Sequence, residues 1–323
     1  MLPSKAAAPA GEQPGWRHLV AGATRLLTEA GVPSPQVDAL ALQRHVAQIP
    51  VLAMAPPPTD EQRRRFAELV DRRRRREPLQ HLTGRMTFRY LELCARPGAF
   101  IVRPETELVA EHAIEAARQV PHPRVVDLCS GSGAIALALA TEVPAARVWA
   151  VELSAEAAAV ARENIAEHAP HVRLVVADAA AALPELVGVV DVVVSNPPYI
   201  PPTAVAREAE VRDHDPDLAL YGGGVDGLDV PRAVIARAAQ LLRTGGTFVM
   251  EHGDEQARAV REALADTGDF EDIRTEQDLA GRDRMVVARR ARGRSSSRQP
   301  TTRQPMSRQQ TTSQQSTSQH ETA

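Results

Sequence analysis

The chain has 323 residues, a formal net charge of −3 and only two cysteines, Cys94 and Cys129. That length suffices for a large core and for two domains or one with appendages; the near-balanced charge gives no bulk signal of a nucleic-acid binder. Cysteines outside any metal-ligand spacing fit a reducing compartment without a disulfide framework, and no apolar run approaches a membrane span or a signal-peptide core, so a cytoplasmic protein is expected.

Residues 1–15, rich in Ala and Pro, read as a disordered N-terminus. From Trp16 the apolar residues Leu19, Ala23, Leu26 and Leu27 recur at helical spacing until Gly31-Val32-Pro33 stops them. A second helix is expected over 35–48, opened by Ser34, and a third from Asp60 to about Arg75. Together they make a small helical N-terminal domain, residues 16–78. The run from Arg72 to Arg76 reads as a solvated helix end in preference to a contact with RNA or an acidic partner. Residues 79–107 read as an interdomain β segment, with β-prone Met86-Thr87-Phe88-Arg89-Tyr90 and a turn at Arg96-Pro97-Gly98.

Over 108–290 short apolar runs alternate with helical stretches. This is the pattern of an α/β fold, a doubly wound and mostly parallel seven-stranded sheet. The expected strands are 125–128, 147–152, 172–177, 190–195, 247–251, 270–275 and 284–289. No helix separates the last two, so they can pair antiparallel. Residues 291–323 are Arg, Ser, Gln and Thr without apolar periodicity and read as a disordered, dispensable tail.

Chemistry concentrates in three places. Asn196-Pro197-Pro198-Tyr199 follows the apolar run 190–195. An amide or aromatic amino nitrogen is a poor nucleophile, and an enzyme that alkylates it must accept both its hydrogens. The Asn196 side-chain oxygen can accept one, the Pro197 carbonyl can accept another without a competing N–H, and Tyr199 offers a flat face. The bland alternative is an Asn-Pro turn closing a strand.

The loop Asp127-Leu128-Cys129-Ser130-Gly131-Ser132-Gly133 follows the first strand of the sheet and opens the helix 134–141. Its glycines permit close backbone approach to a ligand, but Gly131 to Ala136 also satisfies the G-x-G-x-x-A dinucleotide pattern. Glu152, about 20 residues on, is where a ribose-binding acid belongs in either case. Two residues favour S-adenosylmethionine over NAD. Asp127 could face an ammonium group but would repel a pyrophosphate, and Asp178 could accept from an adenine amino group. For Asp178 a helix N-cap before 179–183 is the alternative. Cys129 has no His partner nearby and is read as a small loop residue.

With these motifs in order, the chain resembles the class I S-adenosylmethionine-dependent methyltransferases, and more closely the HemK/PrmC family of protein-(glutamine-N5) methyltransferases that modify peptide chain release factors. Further segments carry the resemblance: Glu77-Pro78-Leu79-Gln80 leading to Gly84 and Phe88, Arg103-Pro104-Glu105-Thr106-Glu107, and Asp215-Pro216 through Ala219-Leu220 to Gly223, Asp226, Gly227 and Leu228. It runs from about Leu19 to Val287. Departures are Val102 where the family has proline, His81 for a common tyrosine, Cys129 for a loop glycine or similar residue, and Glu152 where Asp is more frequent.

The resemblance implies that Asp127, Cys129, Ser130, Gly131, Ser132, Gly133 and Glu152 hold the cofactor, with Asp178 and Ala179 near the adenine. Asn196 would touch both cofactor and substrate amide, Pro197, Pro198 and Tyr199 would line a glutamine pocket, and the segment carrying Arg103 and Thr106 would close the site. The helical domain would grip a release factor, acting as a monomer with no metal and no sequence-specific nucleic acid. Rival readings are a ribosomal-protein glutamine methyltransferase, an adenine-N6 DNA or RNA methyltransferase, and a silent ribosome-associated scaffold. The adenine-N6 reading lacks an aromatic-rich basic insert, since only 3% of residues are Phe, Trp or Tyr. The acidic stretch Asp213-His214-Asp215-Pro216-Asp217 fails the EF-hand pattern, with Leu218 at its glycine position, and reads as a loop on the substrate side. Gly222-Gly223-Gly224 lacks the Walker lysine and strand context of a phosphate loop.

Overall fold

The computed structural model describes residues 14–48, 56–204 and 208–292; the expected disordered ends, 1–15 and 291–323, fall almost entirely outside them. The N-terminal helices are α1 (Trp16–Glu29), α2 (Pro35–Ala47), α3 (Asp60–Arg74) and the short α4 (Leu79–Thr83). They close on their own core of Trp16, Ala23, Leu27, Leu42, Phe66 and Leu69. Leu26, expected on that apolar stripe, is 46% exposed, because the stripe turns through Ala23 and Leu27 and leaves Leu26 on its outer flank. Ser34 precedes α2 without a side-chain cap; Pro35 at N1 starts the helix through its fixed φ. Thr59 and Gln62 form a reciprocal capping box at α3.

The arginine run is only partly solvated. Arg73 is 5% exposed; its Nε donates to Asp38 at 2.7 Å and its Nη2 to Glu210 at 2.8 Å. Arg76 donates to both Glu210 oxygens, at 2.8 and 2.6 Å, while Arg72 pairs with Glu77. Only Arg74 and Arg75, bonded to Asp71, behave as an exposed helix end.

A hairpin, β1 (Arg85–Phe88) and β2 (Leu91–Cys94), leads into α5 (Thr106–Arg118). Then follow β3 (Arg124–Leu128), α6 (Ala134–Glu142), β4 (Arg147–Glu152), α7 (Ala155–His168), β5 (Arg173–Val176) and β6 (Val190–Ser195). Two short helices, α8 (Ala209–His214) and α9 (Asp217–Leu220), precede α10 (Asp229–Leu241), β7 (Leu242–Glu251), α11 (Ala257–Thr267), β8 (Phe270–Gln277) and β9 (Asp283–Arg290).

The seven strands are ordered β5-β4-β3-β6-β7-β9-β8. Those from β5 to β7 are parallel, and β9 lies antiparallel to both β7 and β8. The expected fold class is therefore the observed one, with the expected antiparallel pair β8–β9. Central strands read as continuous apolar runs because both faces are covered. Alternate residues of β3 and β6 serve opposite cores: Val125, Val192 and Val194 pack with α5 and α6, and Val126, Leu128 and Val193 pack with α10 and α11. The strand order reverses between β4 and β6, on either side of β3, which opens a crevice at the carboxyl ends of the strands. Among the described residues no helix is long and apolar enough to cross a membrane.

Candidate active site

That crevice holds a cavity of about 460 Å³, within the range of small-molecule sites. On its wall stand Cys129, Ser130, Gly131 and Ser132 from the loop after β3, Glu152 at the end of β4, Asp178 and Ala179 after β5, and Asn196, Pro197, Pro198 and Tyr199 after β6. Arg103 and Thr106 line it as well. Residues from five separate stretches of chain thus meet in one place.

Two expected cofactor residues do not reach the wall. Asp127 is fully buried beneath the loop, where its Oδ2 accepts from the Ala136 N–H at 3.1 Å. Burial pushes its carboxyl well above the ordinary range, and the Glu152 charge adds to this. Gly133, with φ of 84°, turns the loop into α6 and faces Ala161 and Leu137.

Three N–H groups of the glycine loop are already bonded within the protein. Ser130 N donates to Val151 O at 2.9 Å, Gly133 N to Ser130 O at 2.8 Å, and Gly131 N to Glu152 Oε2 at 2.7 Å. The other Glu152 oxygen accepts from Ser154 N at 2.7 Å. A carboxylate therefore occupies the place where a dinucleotide pyrophosphate would meet the loop. Each of its oxygens keeps a second lone pair.

Cys129 adopts φ of 61°, the left-handed region that explains a glycine-like preference at this position. Its thiol is pushed up to about 12, first by burial and then by the charges of Glu152 and Asp127. It is expected to resist iodoacetamide at about pH 8; tryptic mass spectrometry should find Cys129 unmodified in the folded protein and labelled in denaturant.

Asp178 is exposed. Its Oδ1 accepts from Ala180 N at 2.8 Å in a turn, not a helix. Arg103 is 25% exposed at its side chain and donates to buried Asp215 at 2.8 Å, with its guanidinium 5.1 Å from the Phe100 ring. Burial pushes Asp215 up to about 6 in spite of that partner. Glu107 turns away from the cavity and accepts from Arg89 N at 2.9 Å, whereas Glu105 and Val102 line it.

Residues 18–84 match the model of the PrmC N-terminal domain and residues 91–211 that of the methyltransferase small domain. The release factor glutamine methyltransferase of Streptomyces coelicolor is 48% identical over 275 residues, covering 84% of this chain and 97% of that one. The chain belongs to the release factor glutamine methyltransferase family. The enzyme of that name from Bifidobacterium longum is 43% identical over 291 residues, covering 82% and 96% of the two chains. A solved release factor-specific protein-(glutamine-N5) methyltransferase from Alicyclobacillus acidocaldarius is 30% identical, with a TM-score of 0.37 over 59% of this chain and 95% of its own.

In this member of the family, several residues far from the tetrapeptide in the chain shape the 196–199 segment. Gln256 Nε2 donates to Tyr199 O and to Asp226 O, both at 2.8 Å. Ile200 bridges Tyr221. Gly222 and Gly227 pack backbone against backbone: a Cβ on Gly222 would meet the Gly227 carbonyl and lie 2.6 Å from Pro198 O, and one on Gly227 would lie 2.8 Å from Pro201 N. The glycine-rich stretch is thus a close-packing device behind the tetrapeptide. Gly222→Ala should cost about 3 kcal/mol, since backbone atoms cannot rotate aside, and should lower methyl transfer at temperatures where the variant is still folded; a melting curve beside an initial-rate assay checks both.

The remaining unread residue is Glu251, the last of β7 and 1% exposed. Its Oε2 accepts from Thr106 Oγ1 at 2.7 Å and its Oε1 from Tyr199 OH at 3.3 Å. Burial pushes its carboxyl up to about 7, against the pull of the Thr106 hydrogen bond and the Arg284 charge. Its only sequence signal is its place at the carboxyl end of a strand beside β6.

Proposed function

We propose that this protein transfers a methyl group from S-adenosylmethionine to the side-chain amide nitrogen of the glutamine in the Gly-Gly-Gln loop of a peptide chain release factor. The observation that carries the reading is the shared cavity, in which Asn196 to Tyr199 face a glycine loop whose N–H is held by Glu152. That loop suits a ligand with hydroxyls and a cationic centre and disfavours a pyrophosphate. Glu152 would hold the ribose hydroxyls, Asp178 and Ala179 would flank the adenine, and Ser130, whose buried Oγ has no partner among the described residues, has a polar atom to offer the ligand.

S-adenosylmethionine, when bound, supplies a methyl group whose C–S bond breaks as the glutamine nitrogen's lone pair forms the C–N bond. Asn196 Oδ1 and the Pro197 carbonyl accept the two amide hydrogens and let the nitrogen leave planarity. Tyr199 and Pro198 hold the substrate amide flat against the wall. No strong base is needed beforehand, because positive charge is dispersed in the transition state and the nitrogen loses its proton to solvent after transfer. Orientation and the two acceptors carry the acceleration.

Residues 16–78 serve as the domain that grips the release factor, 79–107 as the interdomain segment and 108–290 as the methyltransferase domain, working as a cytoplasmic monomer. Incubating the full chain with radiolabelled S-adenosylmethionine and, separately, release factor, ribosomal protein and DNA tests the reading, with Asn196→Ala as control. Label in the release factor glutamine supports it; label in DNA or ribosomal protein but not in release factor overturns it.

A further inference from the structure

Glu251 is a buried carboxyl that the transfer chemistry above does not use. An ionisable group is costly to keep at the carboxyl end of a buried strand, and its contacts show what it does there. Thr106, the first residue of α5, is wholly buried. A hydroxyl carries one hydrogen, and Thr106 directs it to Glu251 Oε2 at 2.7 Å. Toward Asn196 the same oxygen can therefore only accept, and Asn196 Nδ2 donates to it at 3.2 Å.

The two ends of a carboxamide are nearly isosteric, so its orientation is decided by its hydrogen-bond partners. An Asn196 amide turned the other way would set its oxygen against the lone pairs of Thr106 Oγ1. With Nδ2 anchored, Oδ1 at the opposite end of the amide is left for a ligand in the cavity that Asn196 lines. The second Glu251 oxygen holds the Tyr199 hydroxyl at 3.3 Å. One carboxylate thus reaches Tyr199 directly and Asn196 through Thr106.

We propose that Glu251, acting through Thr106, is a positioning residue for methyl transfer: the relay Glu251–Thr106–Asn196 locks the Asn196 amide with its oxygen toward the substrate nitrogen. The inference rests on the function proposed above. It assigns Thr106 to the orientation of Asn196, where the resemblance implied only that its segment closes the site. Donor and acceptor roles run in one direction along the relay, from amide to hydroxyl to carboxylate.

The test compares full-length Thr106→Val and Thr106→Ser with wild type at about pH 8.5, above the range in which a carboxyl raised to about 7 titrates. Release factor is the substrate, kcat and KM are measured separately, and S-adenosylhomocysteine affinity is measured by calorimetry. Thr106→Val has the shape of threonine without the hydroxyl, and its kcat should fall about 10- to 100-fold with S-adenosylhomocysteine affinity unchanged within about 2-fold. Thr106→Ser keeps the relay and should stay within about 3-fold of wild type. In an Asn196→Ala background Thr106→Val should cause little further loss, because the side chain it positions is gone.

Wild-type kcat in Thr106→Val overturns the inference. So does a fall in Thr106→Ser as large as that in Thr106→Val, or a full multiplicative loss on top of Asn196→Ala. Thr106→Ala repeats the measurement if the valine variant does not fold. A wild-type protein that leaves the release factor unlabelled would instead overturn the function on which the inference rests.

Discussion

Asn196→Ala should lower methyl transfer by about 10²- to 10³-fold, the usual loss when one preorganised hydrogen-bonding group is removed from a reacting centre. The same change should leave S-adenosylhomocysteine affinity within a small factor, because Glu152 and the loop 129–132, which also line the cavity, stay in place. Asn196→Asp is the sharper variant. It is isosteric and keeps an acceptor for the substrate amide, yet it has no hydrogen for Thr106 Oγ1, whose own hydrogen is already given to Glu251. A second carboxylate would then sit close to Glu251, and the side chain should rotate away or take up a proton. Asn196→Asp is expected to transfer methyl groups about as poorly as the alanine variant. Single-turnover rates with labelled methyl donor measure the loss, and an aspartate variant at wild-type rate would sink the orientation argument.

Arg73→Ala should be the most destabilising single change in the N-terminal region, at about 3–5 kcal/mol. The guanidinium bridges Asp38 on α2 and Glu210 on α8, and its removal leaves Asp38, 7% exposed, as a buried charge without its partner. Asp38→Leu in the same background should recover much of the stability, since an apolar pair tolerates burial better than a lone carboxylate. It should not restore the tie to Glu210.

Acid should separate the two effects. Burial raises the Glu210 carboxyl, but hydrogen bonds from Arg76 and Arg73 outweigh it and hold the group down at about 2, against an ordinary 4.5. A depressed carboxyl contributes stability that is complete above the ordinary value and is lost as pH falls toward the lower one. The wild type should therefore lose this contribution between about pH 4.5 and 2, and Arg73→Ala should show a smaller loss across that window. Melting temperatures taken across the acid range, with and without the substitution, measure the difference; parallel pH curves would rule the bridge out as a contributor.

The sheet was legible because central parallel strands are apolar on both faces, and runs such as 190–195 have no other stable place. Strand β7 begins at Leu242, earlier than expected, because Thr244-Gly245-Gly246 looks like a turn while a register shift beside Val190 and Val192 accommodates it. The wall of the cavity was legible wherever a residue type announces chemistry, as in the tetrapeptide, the glycine loop and Glu152. Asp127 was misplaced because a carboxylate before such a loop can face a ligand or bond the N–H of Ala136, and only three-dimensional packing decides. Arg73 was misread as part of a solvated helix end, and Gln256 and Glu251 stayed unread, for a common reason: each takes its meaning from a partner far away in the chain, and no local period encodes that pairing.

The bridge from α3 to Glu210 also has an order in time. Arg76 precedes Glu210 by 134 residues, so at about 5–20 residues per second a ribosome takes roughly 7 to 27 s to deliver the acid that completes it. During that interval Asp38, only 35 residues before Arg73, is already present to hold one of the two arginines. The helical layer can thus be set on a local ion pair long before the rim of the cavity exists, and translation brings the carboxylate that joins them last.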